Sequence, residues 1–184
     1  MKWEGTLEFT RANIYAAEGK LAAAEQSIKK AIALIDQGTG DDDDQVEAQL
    51  AIIGRAPGTS FSFQRSYASM LALLLLKQGK TSEAELVART GLRVWLTETG
   101  FSEQSATALV TLARILYAQG RYADAAKLAA PAVTIYDLIG VVPESILLAD
   151  ARQTLGAALA AQQSWQEAAR VFEERQAGIA QDPL

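Results

Sequence analysis

The sequence predicts an all-α protein, an α-solenoid of four antiparallel helical hairpins with a short extra helix after the first. Three observations carry that expectation. Four times a small residue is followed twelve positions on by an alanine: Ala12/Ala24, Ala72/Ala84, Ala113/Ala125 and Gly156/Ala168. Such pairs mark places where two helices touch closely. Seven residues into the first three intervals stands a glycine (Gly19, Gly79, Gly120), and Gln163 takes that place in the fourth. Apolar residues make up 49% of the chain, with alanine and leucine prominent and β-branched runs almost absent. That composition favours helix over sheet.

The elements follow in order. The first hairpin spans Leu7 to Glu18 and Leu21 to Ile35, and is ended by Gly38 and Gly40. Phe63 to Gln78 and Ser82 to Glu98 form the second, closed by Gly100. The third runs over Glu103 to Gln119 and Tyr122 to Ile139, closed by Gly140. Glu144 to Gln162 and Trp165 to about Ile179 give the fourth. Glycine suits the residue after a helix, where a left-handed conformation is common. Ser82 with Glu85, and Ser164 with Glu167, have the spacing of capping boxes. Pro143 suits the start of a helix at Glu144. Pro131 is the local conflict, because it removes a hydrogen bond to the carbonyl of Lys127 and must either bend or break the sixth helix.

The turns are spaced unevenly. Gly79 to Gly120 is 41 residues and Gly120 to Gln163 is 43, whereas Gly19 to Gly79 is 60. The first interval thus carries about 18 extra residues, an acidic insert over 39–58 that opens with Asp41-Asp42-Asp43-Asp44. Acids before an apolar-periodic run suit a helix N-terminus, where the macrodipole favours negative charge. The expected organisation is one domain over 1–184, with repeats near 3–38, 60–100, 102–140 and 144–180.

Composition excludes several function classes. A net charge of −5 opposes nucleic-acid binding, which needs a basic face. The chain has no cysteine and no histidine. The first removes disulfides and thiolate chemistry, and fits a reducing setting, with the cytoplasm as default. The second removes the commonest general base and transition-metal ligand. The longest apolar stretch, Met70 to Leu76, is far below the ~20 residues of a membrane span. Met1 to Gly5 lacks the apolar core of a signal peptide. The C-terminus, Gln181 to Leu184, follows directly on a helical pattern and reads as the edge of a domain cut from a longer chain.

Individual motifs lose to plainer explanations. Gly79-Lys80-Thr81 ends like a phosphate-binding loop, but Leu74 stands where that loop needs glycine, and helices rather than a strand precede it. The Asp41 to Asp44 run lacks the glycine of a calcium loop, since Val46 occupies the sixth position. It reads as a solvated acidic cap that could attract a basic partner segment. Glu98, Glu103, Glu173 and Glu174 have no fixed pairing and read as surface charge. Trp95 and Trp165 are expected to pack, and Trp3 to be partly exposed. No cofactor, metal or catalytic residue is expected.

The repeat pattern supplies a resemblance. The third repeat contributes Leu109, Leu112, Ala113, Leu116, Gly120, Tyr122, Ala125 and Ala132; the fourth, Leu155, Gly156, Leu159, Trp165, Ala168 and Phe172. Leu71, Ala72, Leu75, Gly79, Ala84 and Gly91 match in the second, and Ala12, Tyr15, Gly19, Ala24, Ile28 and Ala31 in the first. Together these resemble the tetratricopeptide repeat. That family's period is about 34 residues; the surplus here, about two helical turns, resembles long-period bacterial versions and those of kinesin light chains. The run Leu112 to Ala126 has a bacterial flavour. The closing proline of the family pattern is missing.

The resemblance implies a concave groove lined by the first helix of each hairpin. Carried over by register, its positions are Phe9, Asn13, Ser69, Leu73, Lys77, Val110, Arg114, Tyr117, Gln153 and Ala157. Asn13 matches one position of the cationic clamp of chaperone-binding relatives, but Phe9 and Met70 replace its base and asparagine, so a terminal carboxylate is not the expected ligand. The function implied is a non-catalytic scaffold binding a peptide or partner domain. The alternatives are a regulatory sensor module of a larger bacterial transcription activator or caspase-like protease, and a homodimer paired through a C-terminal end face around Val171 and Phe172.

Overall fold

The computed structural model describes residues 2–36 and 61–180. They form eight α-helices: α1 (Lys2–Ala17), α2 (Leu21–Asp36), α3 (Phe61–Lys77), α4 (Thr81–Thr99), α5 (Glu103–Ala118), α6 (Tyr122–Leu138), α7 (Ile146–Ala161) and α8 (Trp165–Ala180). No strand occurs among the described residues. The insert at 39–58, with its expected extra helix, lies outside them. The chain divides into two compact units, Met1–Gly91 and Leu92–Leu184.

One stereochemical device ends five of the helices. The amide two residues beyond the last turn donates back to the carbonyl five residues earlier: Lys20 to Tyr15 at 2.8 Å, Lys80 to Leu75 and Arg121 to Leu116 at 2.9 Å, and Val141 to Tyr136 and Ser164 to Leu159 at 3.0 Å. That bond closes only around a left-handed residue. Gly19, Gly79, Gly120 and Gly140 supply it with φ of 75°, 77°, 78° and 74°. Gln163 adopts φ 65° without being glycine, so the fourth hairpin makes the same turn at a steric cost.

Helix starts differ in part from expectation. α4 begins at Thr81, and Ala84 donates to the carbonyl of Lys80 at 3.0 Å. Lys80 is therefore the cap, and Ser82 lies inside the helix, so the Ser82/Glu85 capping box is not formed. Ser164 does hold the cap position of α8, its carbonyl accepting from Ala168 at 3.0 Å. A reciprocal box instead starts α5, where the amide of Ser105 donates to Ser102 Oγ at 3.2 Å and that of Ser102 donates to Ser105 Oγ at 2.9 Å. Ser145, rather than the Pro143–Glu144 step, starts α7, its Oγ accepting from the Leu147 amide at 3.3 Å. α6 runs unbroken through Pro131, which lies on its exposed side. The helix accommodates the proline rather than ending there.

In the first unit α1 packs on α2, and α2 on α3. Ala12, Ala24, Ala72 and Ala84 are fully buried. Ile28, Leu71, Leu75 and Val87 fill the core around them. Phe9 stacks on Tyr67, ring centroids 4.2 Å apart, which sets α1 beside α3. Two carboxylates sit among cations at the helix seams. Glu8 Oε1 accepts from Lys30 Nζ at 2.7 Å and from Arg11 Nη1 at 2.8 Å; the Lys30 bond, against the opposing effect of burial, holds its pKa below the ordinary value. Glu25 has three donors, considered below.

The second unit contains α5 to α8, each packed on the next, with α5 and α7 also side by side. Leu112, Ala113, Ile115, Leu116, Leu148 and Ala158 form its core. Tyr136 is buried with its hydroxyl 2.8 Å from Thr107 Oγ1, and burial pushes its pKa up. Gly156 brings α7 and α8 together: a Cβ there would lie 2.6 Å from the Phe172 ring. Val171 is buried and Phe172 half-buried. Those two side chains are used by the chain's own packing instead of forming a bare end face.

Candidate functional site

Helical spacing decides which expected residues share a surface. On α5, Val110, Arg114 and Tyr117 recur at intervals of four and three and so fall on one face. Val110 is buried and belongs to the core, while Arg114 and Tyr117 are exposed. The Arg114 guanidinium reaches across to α7, with Nη1 3.1 Å from Asp150 Oδ2 and 3.5 Å from Oδ1. Gln153, exposed, lies one turn beyond Asp150 on α7. The structure thus brings Arg114, Tyr117 and Gln153 onto neighbouring first helices of a single unit. The Tyr117 ring sits 5.1 Å from that of Tyr122, tilted by 58°, an arrangement favoured by the ring quadrupoles. Both partners of the Arg114–Asp150 pair are nearly half exposed, so it contributes at most about 1 kcal/mol to stability and stays open to exchange.

In the first unit the expected residues are more committed. Phe9 is half-buried against Tyr67. Asn13 donates its side-chain amide to the Phe9 carbonyl at 3.2 Å and is otherwise exposed. Ser69, Leu73 and Lys77 follow at intervals of four along α3, the first two half-buried and Lys77 exposed. This stripe offers one cation and two polar groups.

Asp150 and Tyr122 were not among the expected site residues. Asp150 lies 36 positions from Arg114, and no local pattern announces such a pair. Tyr122 matched the repeat pattern only as a packing residue. Trp165 corrects an expectation in the same way, being 64% exposed rather than packed. Trp95 is buried as expected, and the Trp3 side chain lies outside what is described. Glu103, Glu173 and Glu174 are exposed surface acids. Among the described residues no cluster of three acids could hold a metal ion, and no helix is long and apolar enough to cross a membrane.

Comparison with known proteins fits this geometry. A family model described as "Tetratricopeptide repeat" matches residues 105–136, which is most of α5, the Gly120 turn and most of α6. Solved structures share the fold over nearly the whole chain. BtubC (BKLC) from P. vanneervenii superposes with a TM-score of 0.71 at 18% identity, covering 98% of this chain. Residues 105–136 match a tetratricopeptide repeat, and the chain as a whole has the fold of TPR-like repeats. It spans 66% of the length of BtubC. A putative kinesin light chain from Podospora anserina with nearly identical TPR-like repeats matches at a TM-score of 0.58 and 16% identity, covering 96% of this chain and 95% of that one. A point variant of that light chain matches at 0.59 and 16%, covering 96% of each chain. At such identities the likeness shows the fold, an all-α repeat fold, and leaves the ligand to chemistry. No curated protein matches the chain in sequence.

Proposed function

We propose that this chain is a non-catalytic scaffold that binds a peptide or partner segment on the exposed faces of its first helices. The observation that carries the proposal is the α5/α7 face, where a half-exposed Arg114–Asp150 pair, Tyr117 and Gln153 stand together. A planar aromatic beside a charge pair and an amide can hold an extended or helical segment: the ring supplies area, and the polar groups supply register. In the first unit Asn13, Ser69, Leu73 and Lys77 supply a second such stripe. The absence of histidine and cysteine from the sequence removes the commonest general base and the thiolate nucleophile. Net negative charge favours a protein over a nucleic acid as partner.

The test is selection from a random peptide library displayed on phage, followed by photo-crosslinking of an enriched peptide. Crosslinks to α5 and α7 near Tyr117 and Gln153 are expected. Crosslinks confined to the second helices, α2, α4, α6 and α8, would overturn the assignment of the face.

A further inference from the structure

The inter-hairpin end of the second unit carries a second surface of a different kind. Phe101, Leu138 and Ile146 are 77%, 76% and 80% exposed, and Val142 and Ile139 are exposed beside them. The topology gathers all five. α5 and α7 lie side by side and both start at this end. α6 finishes there, tied to α5 by the Thr107–Tyr136 hydrogen bond. Phe101 precedes α5 by two residues, Leu138 closes α6, and Ile146 opens α7. The loop between them is held in place, Val141 donating to Tyr136 and Ser145 to Val142 at 3.0 Å each. Large apolar side chains scattered singly over a surface need no explanation, but five gathered at one end are a liability unless something covers them.

The charges around the patch say what covers it. Residues 94–113 and 128–151, which build this end, contain no lysine or arginine. Their acids are not all neutralised from elsewhere. Asp137 is approached by Arg152 at 3.7 Å, and Asp150 pairs with Arg114. Glu103 and Glu144, flanking Phe101 and Ile146, are outside the ion pairs formed among the described residues. An apolar centre with an acidic rim repels both a second copy of itself and an anionic lipid surface. It is complementary to an amphipathic segment with basic flanks.

We infer that this end of the second unit docks a segment of another protein whose apolar anchors are flanked by lysine or arginine. The site is separate from the α5/α7 face and stands or falls independently of it. The α5/α7 face offers polar groups that fix register; this end offers apolar area with charge only at its edge.

Fluorescence anisotropy with a labelled 18-residue leucine/lysine amphipathic peptide tests the inference on the full chain. Saturable binding is expected, weakened at least tenfold by Phe101→Ser with Ile146→Ser. A loss of about threefold or more, with a shallower salt dependence, is expected for Glu103→Gln with Glu144→Gln. The control Glu173→Gln with Glu174→Gln, on α8, is expected to leave binding unchanged. Phe101, Glu103, Ile146, Glu173 and Glu174 are exposed and Glu144 is half-buried without an ion pair among the described residues, so all variants should keep a melting temperature close to wild type. The inference is overturned if a leucine/glutamate peptide binds equally well. It is also overturned if the Phe101/Ile146 variant retains wild-type affinity, or if sedimentation shows a dimer that this variant dissolves.

Discussion

Glu25 on α2 accepts a hydrogen bond from Lys80 Nζ at 3.0 Å, a contact between residues 55 positions apart that pins the first hairpin to the Gly79 turn of the second. Lys29 Nζ at 2.6 Å and Gln78 Nε2 at 2.8 Å complete the cradle. The carboxylate is largely buried, and a buried charge is tolerated only with this degree of satisfaction.

That cradle gives stability a defined pH dependence. The Lys29 bond, joined by Lys80 and Gln78 and opposed by burial, holds the Glu25 pKa at about 2, against an ordinary 4.5. A depressed carboxylate stabilises the fold above its unfolded pKa, and the contribution is lost as pH falls through the folded one. Glu25→Gln should therefore cost on the order of 2 kcal/mol at pH 7. The difference from wild type should shrink between about pH 4.5 and 2. Urea denaturation of both proteins across that range measures it; a pH-independent difference would contradict the cradle.

Gln163 provides a second test. It holds a left-handed φ of 65° in the turn that uses glycine at Gly19, Gly79 and Gly120. A left-handed non-glycine residue costs about 1–2 kcal/mol, partly offset by the larger unfolded-state entropy of glycine. Gln163→Gly should raise stability by up to about 1 kcal/mol. A lowered urea midpoint would show that the Gln163 side chain contributes something the turn geometry does not reveal.

At Gly156 the sign of an alanine substitution depends on a neighbour. Alanine has the better helix propensity by about 1 kcal/mol, but its Cβ would fall 2.6 Å from the Phe172 ring. Gly156→Ala alone should destabilise by about 1–3 kcal/mol. In a Phe172→Ala background the same change should be neutral or stabilising. A double-mutant cycle with no coupling would contradict the close α7–α8 approach.

The sequence made the repeat legible because the constraint is local. Two helices joined by a short turn must cross at a fixed distance from it, so Ala12/Ala24, Ala72/Ala84 and Ala113/Ala125 sit twelve apart and are all fully buried. The glycine turns follow from backbone sterics alone. Helix starts were less legible. Ser82 and Glu85 have the spacing of a capping box, yet the turn at Gly79 closes at the very next residue, so that Lys80 becomes the cap. The Ser102/Ser105 box is not legible in the sequence because serine stands where the pattern has an acid. Of the interaction face, Arg114, Tyr117 and Gln153 were reached through the repeat register. Asp150 was not, because ion pairs between successive hairpins depend on three-dimensional packing and leave no periodic mark. The exposure of Trp165 is not legible because an aromatic at a repeat position can serve either packing or surface, and spacing does not distinguish them.

The most direct test of the scaffold account combines Arg114→Ala with Tyr117→Ala and measures two quantities on the same protein, affinity for a library-selected peptide and melting temperature. Both side chains are exposed, and the Arg114–Asp150 pair is weakly stabilising. The account predicts affinity reduced at least tenfold with the melting temperature within about 2 °C of wild type. Unchanged affinity, or a loss that merely follows a large drop in melting temperature, would contradict it.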